Sequence, residues 1–237
     1  MLGYIGLELR RTVRDGGYMV IAITLPVAMY LIFSSLGLID EDGGLYMLVA
    51  MAAFGASGAA FNNGSGVAED AAVGWLRQLR VTPLGPVQVV VSRAVVGMLV
   101  VLPAVVAVLT VGGLVKGVEL APWQWLSIGT LLWLGVAPIV LFALGNGFLL
   151  SGKAAPLANS VLNLALAIMG GLWLPISDFP GWMATLASWT PTNRYAELSW
   201  DIVLGGSPSA MAFVVLGGWL VIFCGYAVFG YRRARLS

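Results

Sequence analysis

Residues 94–115 read Ala-Val-Val-Gly-Met-Leu-Val-Val-Leu-Pro-Ala-Val-Val-Ala-Val-Leu-Thr-Val-Gly-Gly-Leu-Val, with Arg93 before them and Lys116 after. As an α-helix rising 1.5 Å per residue, such a run covers the ~30 Å hydrocarbon layer of a bilayer. It lacks the period-two alternation of a membrane β-strand. Five other windows without a charged side chain are at least as long: 16–39, 43–68, 120–152, 154–177 and 202–231. Of the 237 residues 59% are hydrophobic and 10% charged, against about 25% charged in soluble domains. Such a chain cannot cover a core with polar surface, whereas lipid covers apolar side chains directly. The expected fold is all-α integral membrane, with six transmembrane helices in a single domain over residues 1–237.

Charge sets the expected orientation. Arg10, Arg11, Arg14, Arg77, Arg80, Arg93, Lys153, Arg232, Arg233 and Arg235 fall on one side of the six windows, and only Lys116 and Arg194 on the other. Basic residues flank membrane spans on the cytoplasmic side. Both termini are therefore expected in the cytoplasm of a multi-pass protein of the cell inner (plasma) membrane. The acidic residues lean the other way, with Asp40, Glu41, Asp42, Glu119, Asp178, Glu197 and Asp201 outside. Trp123, Trp125, Trp173, Trp182, Trp189 and Trp200 also gather there, as an interfacial aromatic belt would. A net charge of +1 argues against nucleic-acid binding, the lack of histidine removes the commonest metal ligand, and the single Cys224 allows no internal disulfide.

The windows hold no Asp, Glu, Lys, Arg or His, the groups by which ion-coupled carriers bind or relay their ion. Their strongest polar groups are asparagines. Asn62, Asn63, Asn159 and Asn163 are the candidates for a substrate cavity, and interhelical hydrogen bonding is the alternative role. Gly147-Phe148-Leu149-Leu150-Ser151-Gly152-Lys153 opens like a phosphate-binding loop, but Ala154 stands in the Mg²⁺-binding Ser/Thr position and a membrane span precedes it. No catalytic residue, metal site or bound cofactor is expected in this chain.

Between the second and third windows, Glu69-Asp70-Ala71-Ala72-Val73-Gly74-Trp75-Leu76-Arg77-Gln78-Leu79-Arg80-Val81-Thr82-Pro83-Leu84-Gly85-Pro86 puts its acids first and its arginines last. That order suits a helix dipole, and Ala72, Leu76 and Leu79 share a face beside Trp75. Periodicity alone does not separate an interfacial helix from a docking element.

The run Gly74-Trp75-Leu76-Arg77-Gln78-Leu79-Arg80-Val81-Thr82-Pro83-Leu84 resembles the corresponding loop of ABC type-2 exporter permeases of the drug- and antibiotic-resistance kind. So do Leu174-Pro175-Ile176-Ser177-Asp178-Phe179-Pro180-Gly181-Trp182 and the following Trp189-Thr190-Pro191. With the six-window layout, the resemblance covers nearly the whole chain. It implies a cytoplasmic coupling loop over 69–90, in which Glu69, Asp70, Gly74, Trp75, Leu76, Arg77, Leu79, Arg80, Thr82, Pro83 and Leu84 meet an ATPase subunit. Ala72 stands where many such permeases carry a second acid. The resemblance also implies an amphipathic elbow helix over 1–17 with Arg10, Arg11 and Arg14. Over 178–205 it implies a re-entrant extracellular segment of short helices, gated through Pro175, Asp178, Pro180, Trp182 and Pro191.

The implied function is that of a transmembrane subunit exporting an amphiphilic or hydrophobic drug, antibiotic, lipid or peptide. ATP and Mg would be bound by two copies of a separate ATPase subunit. A second transmembrane subunit, identical or paralogous, and membrane lipid are the other expected partners. An ATP-independent carrier or lipid scramblase is the alternative. Single cysteines in a Cys224-free background test the orientation: those at Asp42, Lys116 and Ser207 should label from outside intact cells and those at Gln78, Lys153 and Arg235 should not. External labelling at Gln78 would reverse it.

Overall fold

The computed structural model describes Gly6 and residues 16–35, 41–72 and 85–236. Nearly all of these are helical, and no strand occurs among them. The helices are α1 (Gly16–Ser35), α2 (Glu41–Ala72), α3 (Pro86–Leu114), α4 (Pro122–Gly135), α5 (Ala137–Leu149), α6 (Ala154–Met169), α7 (Gly181–Ser188), α8 (Pro191–Val203) and α9 (Ala210–Leu236), with a 3-10 turn at Ile176–Asp178. The start signals are local. Proline at the first helical position, where its missing N–H costs nothing, opens α3, α4 and α8. Gln88 and Gln124 reach back to accept from the N–H groups of Gly85 and Ala121, each at 2.9 Å. Thr190 caps α8 by accepting from the Asn193 N–H.

Among the described residues, four helical stretches are long and apolar enough to cross a membrane: Gly43–Ala72, Val87–Leu114, Pro122–Leu149 and Ala210–Ala234. Among the described residues, Ala22–Ser35 and Ala154–Met169 are shorter apolar helical stretches, the first lying within the 20-residue α1. Inside three of the windows, specific residues set where helices break or end. Window 120–152 breaks at Val136, with Pro138 in the first turn of α5. Window 154–177 stops at Met169, where Gly171 at φ +78° turns the chain. Gly205, also at φ +78°, separates α8 from α9 within the last window.

Helix α2 is the core of the bundle and packs on α1, α3, α5, α6 and α8, while α5 lies between α2 and α9. From Met47 to Ala60 nearly every α2 side chain is buried, Gly58 being half-buried. The closest approach is backbone to backbone: a Cβ built on Gly64 would run into the Ala143 carbonyl, and one on Gly147 into the Gly64 carbonyl. A Cβ on Gly145 would overlap the Tyr226 ring of α9. By contrast α9 turns Val214, Val221, Ile222 and Phe229 outward, as a lipid-facing helix does. The tryptophans divide in the same way. Trp123, Trp182 and Trp189 are exposed, but Trp200 is buried, stacked on Tyr46 with ring centroids 4.4 Å apart and donating to the Tyr46 carbonyl. Trp200 is therefore a core residue rather than part of a belt.

Candidate functional site

Helices α1 and α6 both lean on α2, and between them a cavity of about 300 Å³ is left, lined in part by Pro26, Phe54, Asn62, Ser65, Ser160 and Asn163. Asn62 is exposed, and Asn163 is half-buried with its side-chain oxygen accepting from Ser57 at 2.7 Å. Asn159 edges the same cavity, but its amide is committed to the bundle. It donates to the Phe61 carbonyl at 3.0 Å and to Ser65 Oγ at 3.1 Å, and accepts from Asn146 at 2.8 Å. Tyr226 then donates to Asn146 at 2.9 Å, so one polar chain ties α9, α5, α6 and α2. Asn63 points elsewhere. Its amide nitrogen lies against Gly97 of α3, where a Cβ would come within 2.7 Å. Of the four candidate asparagines, Asn62 and Asn163 offer polar atoms to the cavity, Asn159 builds its wall, and Asn63 faces another helix.

At the C-terminal end of α2, Asp70 accepts from Arg93 of α3 at 2.8 Å, and the two side chains are 5% and 4% exposed. This pair joins the two helices from which the loop hangs. Charge-free windows do not reveal it, because α2 and α3 extend past their windows to include Asp70 and Arg93. The readable signal is an acid and a base of opposite sign on the facing ends of consecutive helices. Glu69, the neighbouring acid, is exposed. Gly74, Trp75, Leu76, Arg77, Leu79, Arg80, Thr82, Pro83 and Leu84, and Arg10, Arg11 and Arg14 of the elbow, lie outside the described residues.

In the segment expected to be extracellular, Pro175 precedes the 3-10 turn and Pro180 precedes α7; Asp178 and Trp182 are exposed, while Pro191 is buried at the start of α8. Helix α8 is locked to the bundle by buried polar groups. Thr192 donates to the Leu166 carbonyl at 2.8 Å, Asn193 to that of Gly170 at 3.0 Å, and Tyr195 to that of Ala53 at 2.5 Å. Burial pushes the Tyr195 phenol pKa up, which keeps this donor neutral. Arg194, one of the two basic residues outside the main cluster, is paired with Glu197 in the same helix. The phosphate-loop look-alike is built into packing: Gly147 sits in α5 against Gly64, and Gly152 faces Ala72.

No family model matches the chain. A curated relative does: the Bacillus subtilis (strain 168) protein named "Putative transport permease YvfS" is 23% identical over 222 residues, which cover 91% of this chain and 90% of the relative. The chain is thus similar to a transport permease over nearly its whole length. That similarity agrees with the ABC type-2 permease resemblance and with an all-helical, multi-pass membrane protein.

The buried ion pair gives a sharp stability test. Removing one partner of such a pair costs about 3–5 kcal/mol, whereas apolar replacement of both is near neutral. Arg93→Met should lower the thermal midpoint of the detergent-solubilised protein markedly, and Asp70→Leu in the same chain should recover most of the loss. Equal midpoints for wild type and Arg93→Met would show that the pair bears no load.

Proposed function

We propose that the chain is the transmembrane subunit of an ATP-driven ABC exporter of the drug- or antibiotic-resistance type. ATP and Mg are held by two copies of a cytoplasmic ATPase subunit, and this chain has no ATPase site of its own. What supports the reading is the sequence of the Gly74–Leu84 motif together with the Asp70–Arg93 pair that ties α2 to α3, the helices before and after it in the chain. A docking loop mounted on a rigid pair of helices can pass movement of the ATPase to α2, the helix that touches most of the others.

In this reading the 69–90 loop and both termini are cytoplasmic in the inner (plasma) membrane. The outer segment with Pro175, Asp178, Pro180, Trp182 and Pro191 gates the far side. The α1–α2–α6 cavity has amide and hydroxyl groups but no ionised group among its lining residues, which suits an amphiphilic or hydrophobic drug, antibiotic, lipid or peptide. Beside it α6 exposes an apolar stripe of Leu157, Val161, Leu164 and Ile168. A second transmembrane subunit, identical or paralogous, seated on that stripe closes the cavity into a pathway.

The docking claim is tested at Trp75 and Leu79. If they fill a groove on the ATPase, truncation costs about 2 kcal/mol or more at each buried anchor, over tenfold in affinity. Trp75→Ala with Leu79→Ala should abolish recovery of the ATPase with the tagged chain and stop transport at clamped ATP, with membrane insertion unchanged. Normal ATPase recovery in the double variant would place docking elsewhere. Transport that continues with no ATPase bound would favour the carrier or scramblase.

A further inference from the structure

A second cavity, larger than the asparagine-lined one, lies on another face of the bundle. A groove of about 660 Å³ runs between α3 and α4, walled by Leu102, Val106, Leu109, Trp125, Leu126 and Trp133. Thr110 and Thr130 supply the only side-chain hydroxyls in its lining, and no charged side chain enters it. Both helices belong to stretches long and apolar enough to cross a membrane, so a groove open on their outer surface meets hydrocarbon rather than water. On α3 it runs from Leu102 to Leu114, about 18 Å at 1.5 Å per residue. One leaflet contributes about half of the ~30 Å hydrocarbon layer, so the groove accommodates a single acyl chain of one leaflet. That leaflet is the one remote from residues 73–84, because α3 begins at Pro86.

The mouth carries a matching polar end. Leu114 and Val118 both line the groove, and Lys116 lies in the turn between them. Its ammonium donates one hydrogen bond, at 2.8 Å, to the neutral Ser35 hydroxyl, which leaves its charge unopposed by that contact and further N–H groups to donate. Glu119, three residues further on, is exposed. A cation and an anion close together in sequence at the end of an apolar slot suit a zwitterionic headgroup. We infer that the α3–α4 groove is a binding site for one phospholipid, its acyl chain between the helices and its phosphate on Lys116. Gly129 and Gly113 keep the slot open. A Cβ on Gly129 would meet only Leu109, at an ordinary 3.6 Å, so a larger side chain there extends into free space.

The experiment uses the full chain in phosphatidylethanolamine–phosphatidylglycerol proteoliposomes containing phosphatidylethanolamine with a photoreactive diazirine in its acyl chain. After illumination, adducts on 102–114 and 125–133 should exceed those on the more exposed α9 face around Val214 and Val221 by about fivefold or more. Gly129→Phe should reduce that excess to the α9 level. Lys116→Gln, at the rim and outside the packed bundle, should remove the preference for this probe over a diazirine diacylglycerol that lacks the phosphate. Uniform labelling of α3, α4 and α9, or an excess that survives Gly129→Phe, would overturn the site. Equal labelling of the wild type by the two probes would overturn the phosphate contact.

Discussion

Where α2 and α5 touch through Gly64, Ala143 and Gly147, there is no room for a side chain, and the separation of the two backbones sets the geometry of everything around them. In water such an approach would be one contribution beside a strong hydrophobic drive. Within lipid, whose tails are as apolar as leucine, helices gain little from hiding apolar surface and associate through close packing and hydrogen bonds. Small residues at the contact are therefore the condition for a stable bundle. The same contact places Asn146 of α5 beside Asn159 of α6, which lets the Tyr226–Asn146–Asn159–Ser65 chain form. Partnering these buried groups removes a penalty of a few kcal/mol that each would otherwise impose in hydrocarbon.

The packing also divides the molecule by task. The buried α2 axis with α5 is its fixed part, and α9 and the outer faces of α3, α4 and α6 meet lipid or a partner. The proposed route from ATPase to cargo uses this division: the loop is mounted at Asp70 and Arg93, α2 is the lever, and the asparagine-bearing cavity lies along the same helix. Amides in the helices of such a chain have two uses, and the structure separates them residue by residue. Asn146 and Asn159 hold helices together, whereas Asn62 and Asn163 retain polar atoms at the cavity.

Much of this was legible in the residues. Uncharged runs such as 94–115 gave the helical membrane class because bilayer thickness imposes a minimum length that few other structures require. Helix ends were less legible, since a window drawn between charges ignores Gly171, Gly205 and Pro138, which stop or break helices inside apolar sequence. The Asp70–Arg93 pair stayed hidden for the complementary reason: a charge neutralised by a buried partner can lie inside a helix that a charge-free window excludes. The glycine contacts were only partly readable. A Cβ on Gly55 would meet Pro26 at 3.0 Å, whereas one on Gly217 or Gly225 would face open space. Composition counts glycines; only three-dimensional packing distinguishes those that another helix approaches.

That distinction supplies the most direct measurement of the account. Gly147→Leu and Gly225→Leu add the same side chain to two helices, and the thermal midpoints of both variants in lipid nanodiscs can be compared with the wild type. Gly147→Leu should destabilise by about 1–3 kcal/mol or more, because the leucine must displace the α2 backbone. Gly225→Leu should stay within about 0.5 kcal/mol of the wild type, as expected for a surface change. If Gly147→Leu is tolerated as well as Gly225→Leu, the α2–α5 backbone contact does not hold the bundle together, and the account of the fold and of its lever fails with it.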